Sequence, residues 1–191
     1  MNKTKLVNCF LSGRRKSISK YENQTEELQS KVLQKLIRQT IHTEWGQTHG
    51  FAQVNDYNSF TKTSPINTYE ELKGYIDRMR RGEKDVLWSG KVRWYAKSSG
   101  TTNDKSKFIP VSKECLQDTH YRGGTDAVAL YLGQNPRSRM FDGKALILGG
   151  SHSPNYNLPH SLVGDLSAIL IENVSPFVNH FRIPSKEIAL L

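Results

Sequence analysis

Cysteine is almost missing from this chain: Cys9 and Cys115 are the only two, in unrelated contexts and without metal-ligand spacing. That excludes a disulfide framework and implies thiols kept in a reducing compartment. Histidine offers no metal site either. The six histidines, at positions 42, 49, 120, 152, 160 and 180, include no pair at i,i+4 and no His-Glu-x-x-His, so no zinc is expected. Long apolar runs are also lacking. None approaches the roughly 20 residues of a membrane-spanning helix, and Leu6 to Leu11 is too short for a signal peptide and broken by Asn8. The expectation is a cytoplasmic protein with no membrane partner. No internal repeat or low-complexity linker is visible.

Acidic residues are outnumbered, 18 against 27 Lys and Arg, for a net charge of +9. Such an excess invites a nucleic-acid reading. The cations are scattered, however, with two local clusters: Arg14-Arg15-Lys16 in a polar N-terminal stretch, and Arg78-Met-Arg80-Arg81 at a helix end, where cations meet the dipole. Neither has an aromatic stacking platform beside it in sequence. No nucleic-acid partner is expected.

What the chain does have is a loop of small polar residues between two strand-like runs. Trp94 to Val111 reads WYAKSSGTTNDKSKFIPV. Ser98-Ser99-Gly100-Thr101-Thr102 are five consecutive small residues, where a tight hairpin turn needs about two. Gly100 lets the backbone approach a ligand closely, successive N–H groups form an anion nest, and the hydroxyls donate to phosphate oxygens. Lys107, at the far end, supplies a point charge to terminal phosphates. These features read as a clamp for a nucleoside triphosphate. The alternative is a solvated hairpin loop of the same composition. A P-loop NTPase is excluded: Gly100 to Ser106 is one residue short of the motif and lacks its second glycine. Pro110 also keeps the following segment extended rather than helical.

The rest of the chain alternates helical and strand patterns, which implies an α/β layer architecture. Asn23 with Glu26 reads as a capping box, opening a stripe of Leu28, Val32, Leu33, Leu36, Ile37 and Ile41 to about Glu44, with Gly46 as the stop. Thr68 with Glu71 is a second capping box, before a face of Leu72, Tyr75, Ile76 and Met79 ended by Gly82. Ser112 is read as the cap of a helix to about Leu132, stopped by Gly133 and Asn135-Pro136. Lys144–Leu148 is expected as a short buried strand, 149–160 as a loop, and 166–171 as a strand or helix. Ser185 is placed to cap a final helix. Gly123-Gly124 would let a ligand or a second helix come close, with Tyr121 and Arg122 as candidates for a substrate carboxylate.

The loop, from Ser98 to Lys107, resembles the phosphate loop of the adenylate-forming superfamily. Thr43-Glu-Trp-Gly46, His49-Gly-Phe51, Tyr69 to Arg78, Gly164-Asp-Leu-Ser167 and Arg182 to Leu190 narrow the resemblance to the auxin-responsive Gretchen Hagen family of acyl-acid amido synthetases. It covers the chain from about residue 24 onward. One departure is that many members carry glycine where this chain has Asn103 or Asp104. The resemblance implies an α/β fold, namely the N-terminal portion of the large domain of an adenylate-forming enzyme. Residues 1–22 would be a polar basic arm and 23–191 the N-terminal part of the adenylation domain. The whole enzyme would be more than twice this length and the present chain inactive alone. Implied chemistry is ATP-dependent ligation of a carboxylic acid to an amino acid, with Mg2+. Ser98, Ser99, Gly100, Thr101, Thr102 and Lys107 would hold ATP, with Lys107 also catalytic. An acyl-protein synthetase, an acyl-CoA-type ligase and a non-catalytic basic binding module stand as alternatives.

Overall fold

The computed structural model describes residues 3–98 and 106–190. In chain order its elements begin with α1 (Lys3–Phe10), α2 (Ser12–Ile18), α3 (Thr25–Thr40), α4 (Glu44–Thr48), α5 (Tyr57–Thr63) and α6 (Tyr69–Arg80). Strands β1 (Trp94–Ser98) and β2 (Lys107–Val111) follow, then α7 (Arg122–Gln134), β3 (Ala145–Leu146) and β4 (Leu162–Gly164). The described chain closes with α8 (Leu166–Asn173), α9 (Pro176–His180), β5 (Arg182–Ile183) and α10 (Lys186–Ala189). Helices and strands are mixed, as the α/β expectation requires. No helix among the described residues is long and apolar enough to cross a membrane. The chain forms two compact units: Thr25–Ser112 with Ser153–Gly164, here the hairpin unit, and Met1–Gln24 with Lys113–His152 and Asp165–Leu191, here the helical unit.

The hairpin unit is organised by α6. Glu71 reaches back to accept hydrogen bonds from the Thr68 backbone N–H at 2.6 Å and the Thr68 hydroxyl at 2.8 Å, the reciprocal half of the expected capping box. The helix ends at Arg80, before Gly82 at φ 97°. Between these ends Ile76 and Met79 are buried with Val86, Val92, Tyr95 and Val163, while Leu72 and Tyr75 pack around them. Each buried aliphatic contributes about 1.5–3 kcal/mol, against about 1 kcal/mol for a cap, so the apolar face decides where α6 sits and the cap decides where it starts. β1 lies at the centre of a three-stranded sheet, antiparallel to β2 and parallel to β4. Pro110 lies on β2, at the edge of this sheet, where a missing N–H disrupts no ladder.

Two helix boundaries differ from expectation in this unit. Asn23 closes a preceding 3-10 turn, and α3 begins at Thr25. That helix stops at Thr40 rather than near Glu44, because Thr43 caps a separate α4, its hydroxyl accepting the Gly46 N–H at 3.0 Å. Gly46 is no stop signal. A Cβ there would lie 2.0 Å from the Thr40 carbonyl oxygen, so close chain approach demands the glycine.

In the helical unit Leu11, Ala129 and Leu132 are buried together, with Val7, Ile18, Val128 and Phe141 around them. The two arginines of the first basic cluster serve this packing. Arg14 makes a bidentate pair with Asp126 at 2.5 and 2.6 Å, and Arg15 donates to the Ala129 carbonyl oxygen at 3.4 Å. Helical backbone begins at Lys113, passes through a π-helical stretch Cys115–Tyr121, and continues as α7. Gly133 lies inside α7 instead of ending it; a Cβ there would meet the Arg15 side chain at 2.7 Å. The strand expected over 144–148 is reduced to Ala145–Leu146, which is exposed and pairs with β5. Residues 166–171 are helical, with Ala168, Ile169 and Ile171 buried.

Two core positions generate predictions. Gly82 combines its positive φ with a Cβ position 2.7 Å from the His160 ring, so Gly82→Ala should cost more than about 1 kcal/mol in a urea titration; an unchanged midpoint would contradict this. Tyr95 is fully buried, and its hydroxyl has no hydrogen-bond partner among the described residues. Desolvation pushes its pKa from 10.0 to about 12, the positive charge of Arg80 acting in the opposite direction. Between those values the unfolded chain has released a proton that the folded chain still holds, so stability must fall as pH rises above 10. Tyr95→Phe should remove that alkaline slope and hold or raise stability at pH 7, readable from denaturation midpoints across pH 7–11.

Candidate functional site

β1 and β2 form the stem of the loop singled out in the sequence. Their register pairs Trp94 with Val111, Ala96 with Ile109, Lys97 with Phe108, and Ser98 with Lys107. Ser98 and Lys107, the first and last residues of the expected clamp, are therefore cross-strand partners at the mouth of the stem. Ser99, Gly100, Thr101 and Thr102, with Asn103 and Asp104, lie outside the described residues. The two flanking segments are strands, as expected.

The stem is held against α6 by cations and aromatic rings. Tyr69, first residue of α6, accepts a hydrogen bond from the Phe108 backbone N–H at 2.9 Å. Its ring centroid lies 5.5 Å from Lys107 Nζ. From the other end of α6, the Arg80 guanidinium stacks 3.9 Å from the Phe108 ring centroid and donates to the Tyr156 carbonyl oxygen at 2.7 Å. Lys97 Nζ lies 4.4 Å over the Tyr156 ring, which is itself 5.6 Å from Phe108. All these distances are within cation–π or aromatic contact.

Charge balance distinguishes this region from the neighbouring arginine. Arg78 is gripped by Glu44 at 2.9 and 2.5 Å and by Glu83 at 2.8 Å. Hydrogen bonds from Arg78 hold both carboxyls below their ordinary range. Lys97, Lys107 and Arg80 have no carboxylate partner among the described residues. Two stem lysines and one α6 arginine without a carboxylate partner among the described residues make this region attractive to a polyanion.

Other candidates are drawn elsewhere. The Tyr121 hydroxyl donates to the Leu170 carbonyl oxygen at 2.8 Å, and burial raises its pKa. Arg122 faces Asp118 at 3.4 Å. Both polar groups thus have internal partners. Apart from the backbone of their own helix, no described residue lies within 4 Å of a Cβ built on Gly123 or Gly124. Among the described residues no three His, Cys, Asp or Glu side chains converge on a metal site. Burial raises the Cys115 thiol pKa, which keeps it protonated at neutral pH. Tyr69, Lys97 and Tyr156 were not among the candidate site residues read from sequence, although Tyr69 had a signal there as the residue that a capping box fixes at a helix start. Arg80 stood out only as a member of the basic cluster at the end of α6, read as cations meeting the helix dipole.

Arg80→Leu should lower stability by about 2 kcal/mol, through loss of the stacked guanidinium and a charged hydrogen bond. Arg80→Lys should recover only part, because a point charge cannot stack as a plane. Equal stability of the two variants in urea would contradict the stacking account.

A model described as the GH3 family N-terminal domain matches residues 14–189. A jasmonoyl–L-amino acid synthetase, JAR6 of Nicotiana attenuata, is 32% identical over 108 residues, which are 54% of this chain and 19% of that protein. An indole-3-acetic acid-amido synthetase, GH3.15 of Arabidopsis thaliana, is 32% identical over 93 residues, 48% of this chain and 16% of that one. The matched stretch is thus under a fifth of the length of these relatives. A solved GH3.15 acyl acid amido synthetase superposes with a TM-score of 0.71 at 22% identity, over 90% of this chain and 30% of that structure. The likeness to that structure is one of fold, to its N-terminal portion.

Proposed function

Because the chain belongs to the GH3 family, whose N-terminal domain it carries over residues 14–189, we propose that it forms the phosphate-binding part of an ATP-dependent acyl-acid amido synthetase. The reaction has two steps. A carboxylate oxygen attacks the α-phosphorus of ATP, and the bond from that phosphorus to the bridging oxygen of pyrophosphate breaks. An amino acid's amine then attacks the carbonyl carbon of the acyl-adenylate, loses a proton, and expels AMP as the amide forms.

In the first step negative charge moves onto the leaving pyrophosphate, and the loop's task is to meet it. Ser98, Ser99, Thr101 and Thr102 donate hydroxyl hydrogen bonds to the β- and γ-phosphates, Gly100 admits the backbone N–H groups, and Lys107 supplies a full positive charge. Mg2+ accompanying ATP would neutralise part of the same charge. The observation that carries the reading is the Ser98–Lys107 register, which fixes both ends of the loop on adjacent strands. Preorganisation of this kind spares reorganisation when charge develops. A small-molecule carboxylic acid and an amino acid are the substrates, as in the names of the relatives. The reduced thiols of Cys9 and Cys115 suit a cytoplasmic enzyme.

The product of the complete reading frame should catalyse carboxylate-dependent exchange between ATP and labelled pyrophosphate. Lys107→Ala should slow that exchange about 100-fold or more, the usual loss on removing one charge-stabilising donor. Unchanged exchange in the variant would remove Lys107 from the site, and no exchange with any carboxylic acid would overturn the function.

A further inference from the structure

We propose that Tyr69 is a positioning residue for Lys107, acting through both its hydroxyl and its ring; this rests on the reading of Lys107 as a phosphate ligand. Lys107 is a long, flexible side chain at the first position of β2, where the strand emerges from the loop. A lysine there has many rotamers, and holding it at one phosphate costs side-chain entropy unless something restricts it first. No carboxylate among the described residues does so. Tyr69 does it in two ways. Its hydroxyl accepts the Phe108 N–H at 2.9 Å, which pins the peptide joining Lys107 to Phe108. Its ring lies 5.5 Å from Lys107 Nζ, within cation–π range.

The placement of Tyr69 is itself fixed. It is the first residue of α6, immediately after Thr68, whose N–H and hydroxyl are tied to Glu71. An aromatic face also suits the task better than a carboxylate. It attracts the ammonium without neutralising it, so the charge stays available to an incoming phosphate. A carboxylate at the same point would compete with the ligand for the lysine and repel the polyanion.

The test is a double-mutant cycle on the product of the complete reading frame, read as the dissociation constant for Mg·ATP by equilibrium dialysis. Tyr69→Phe keeps the ring and removes the hydroxyl; Tyr69→Leu removes both. Tyr69→Leu is expected to weaken Mg·ATP binding roughly three- to fivefold, the size of an exposed cation–π contact, with Tyr69→Phe retaining most of the affinity. In a Lys107→Ala background neither substitution should weaken binding further. A merely structural tyrosine would give the same loss in both backgrounds, and that additivity would overturn the proposal. So would wild-type affinity in Tyr69→Leu. If Lys107→Ala itself leaves Mg·ATP binding and pyrophosphate exchange unchanged, the phosphate-ligand reading fails instead, whatever the tyrosine variants do. Should Tyr69→Leu fail to fold, Tyr69→Trp replaces it: the larger indole face should hold or tighten binding only when Lys107 is present, and equal binding changes with and without Lys107 would overturn the proposal.

Discussion

The seating of α6 on the β1–β2 hairpin is the contact on which the rest of the hairpin unit depends. Eleven residue steps separate Tyr69 from Arg80, about 16 Å of helix rise, yet both ends of the helix converge on Phe108. Tyr69 takes its backbone N–H and Arg80 covers its ring. Between those anchors Ile76 and Met79 pack with Tyr95 of the central strand. A strand gripped at its backbone by one helix end and at its side chain by the other cannot slide along that helix without losing both contacts. Register slippage in the hairpin would move Lys107 off Ser98, so the same contact that builds the core also fixes the mouth of the loop.

Which parts of this were legible in the sequence follows from range. The α6 cap, its apolar face, the Gly82 terminus and the extended backbone around Pro110 are local patterns, and each stands where the pattern put it. Failures occurred where a distant segment set the outcome. Gly133 looks like a stop signal in one dimension, but the Arg15 side chain, from the far end of the sequence, lies against it; at Gly46 the crowding comes from nearer by, from the Thr40 carbonyl across the turn between α3 and α4. The run Lys144–Leu148 is apolar enough for a buried strand, yet Leu146 and Leu148 are exposed, because burial depends on what covers a strand and not on its own composition. The contacts of Tyr69, Arg80 and Tyr156 with the hairpin span sequence separations that no spacing rule reaches. The π-helical stretch Cys115–Tyr121 has no pattern in the sequence that we can identify.

The two basic clusters carry the same lesson for charge. Composition gives +9 and two clusters, but the cations in them do different work. Arg14 is committed to Asp126, with its pKa raised by that pair. Arg78 is committed to Glu44 and Glu83. These are structural pairs, partly exposed, and of modest energetic weight. Net charge therefore overstates what is available to a ligand, and the available part is read from which cations lack a carboxylate.

Here the chemistry of the partners decides the matter. A carboxylate and an aromatic face both restrain a cation, but only the carboxylate cancels its field. Arg80, Lys97 and Lys107 are restrained by Phe108, Tyr156 and Tyr69. Each ring is attracted to its cation through a quadrupole whose field falls off faster with distance than that of a charge, so beyond the contact itself the three positive charges act almost undiminished. Without a ligand they repel one another, a cost that solvent and salt reduce. A bound polyphosphate would relieve that repulsion while gaining three attractions, so each cation favours the ligand twice. Replacing the rings with acidic residues would steady the stem equally well and remove that advantage. On this argument the aromatic residues are part of the proposed phosphate site, although none of them would touch a phosphate.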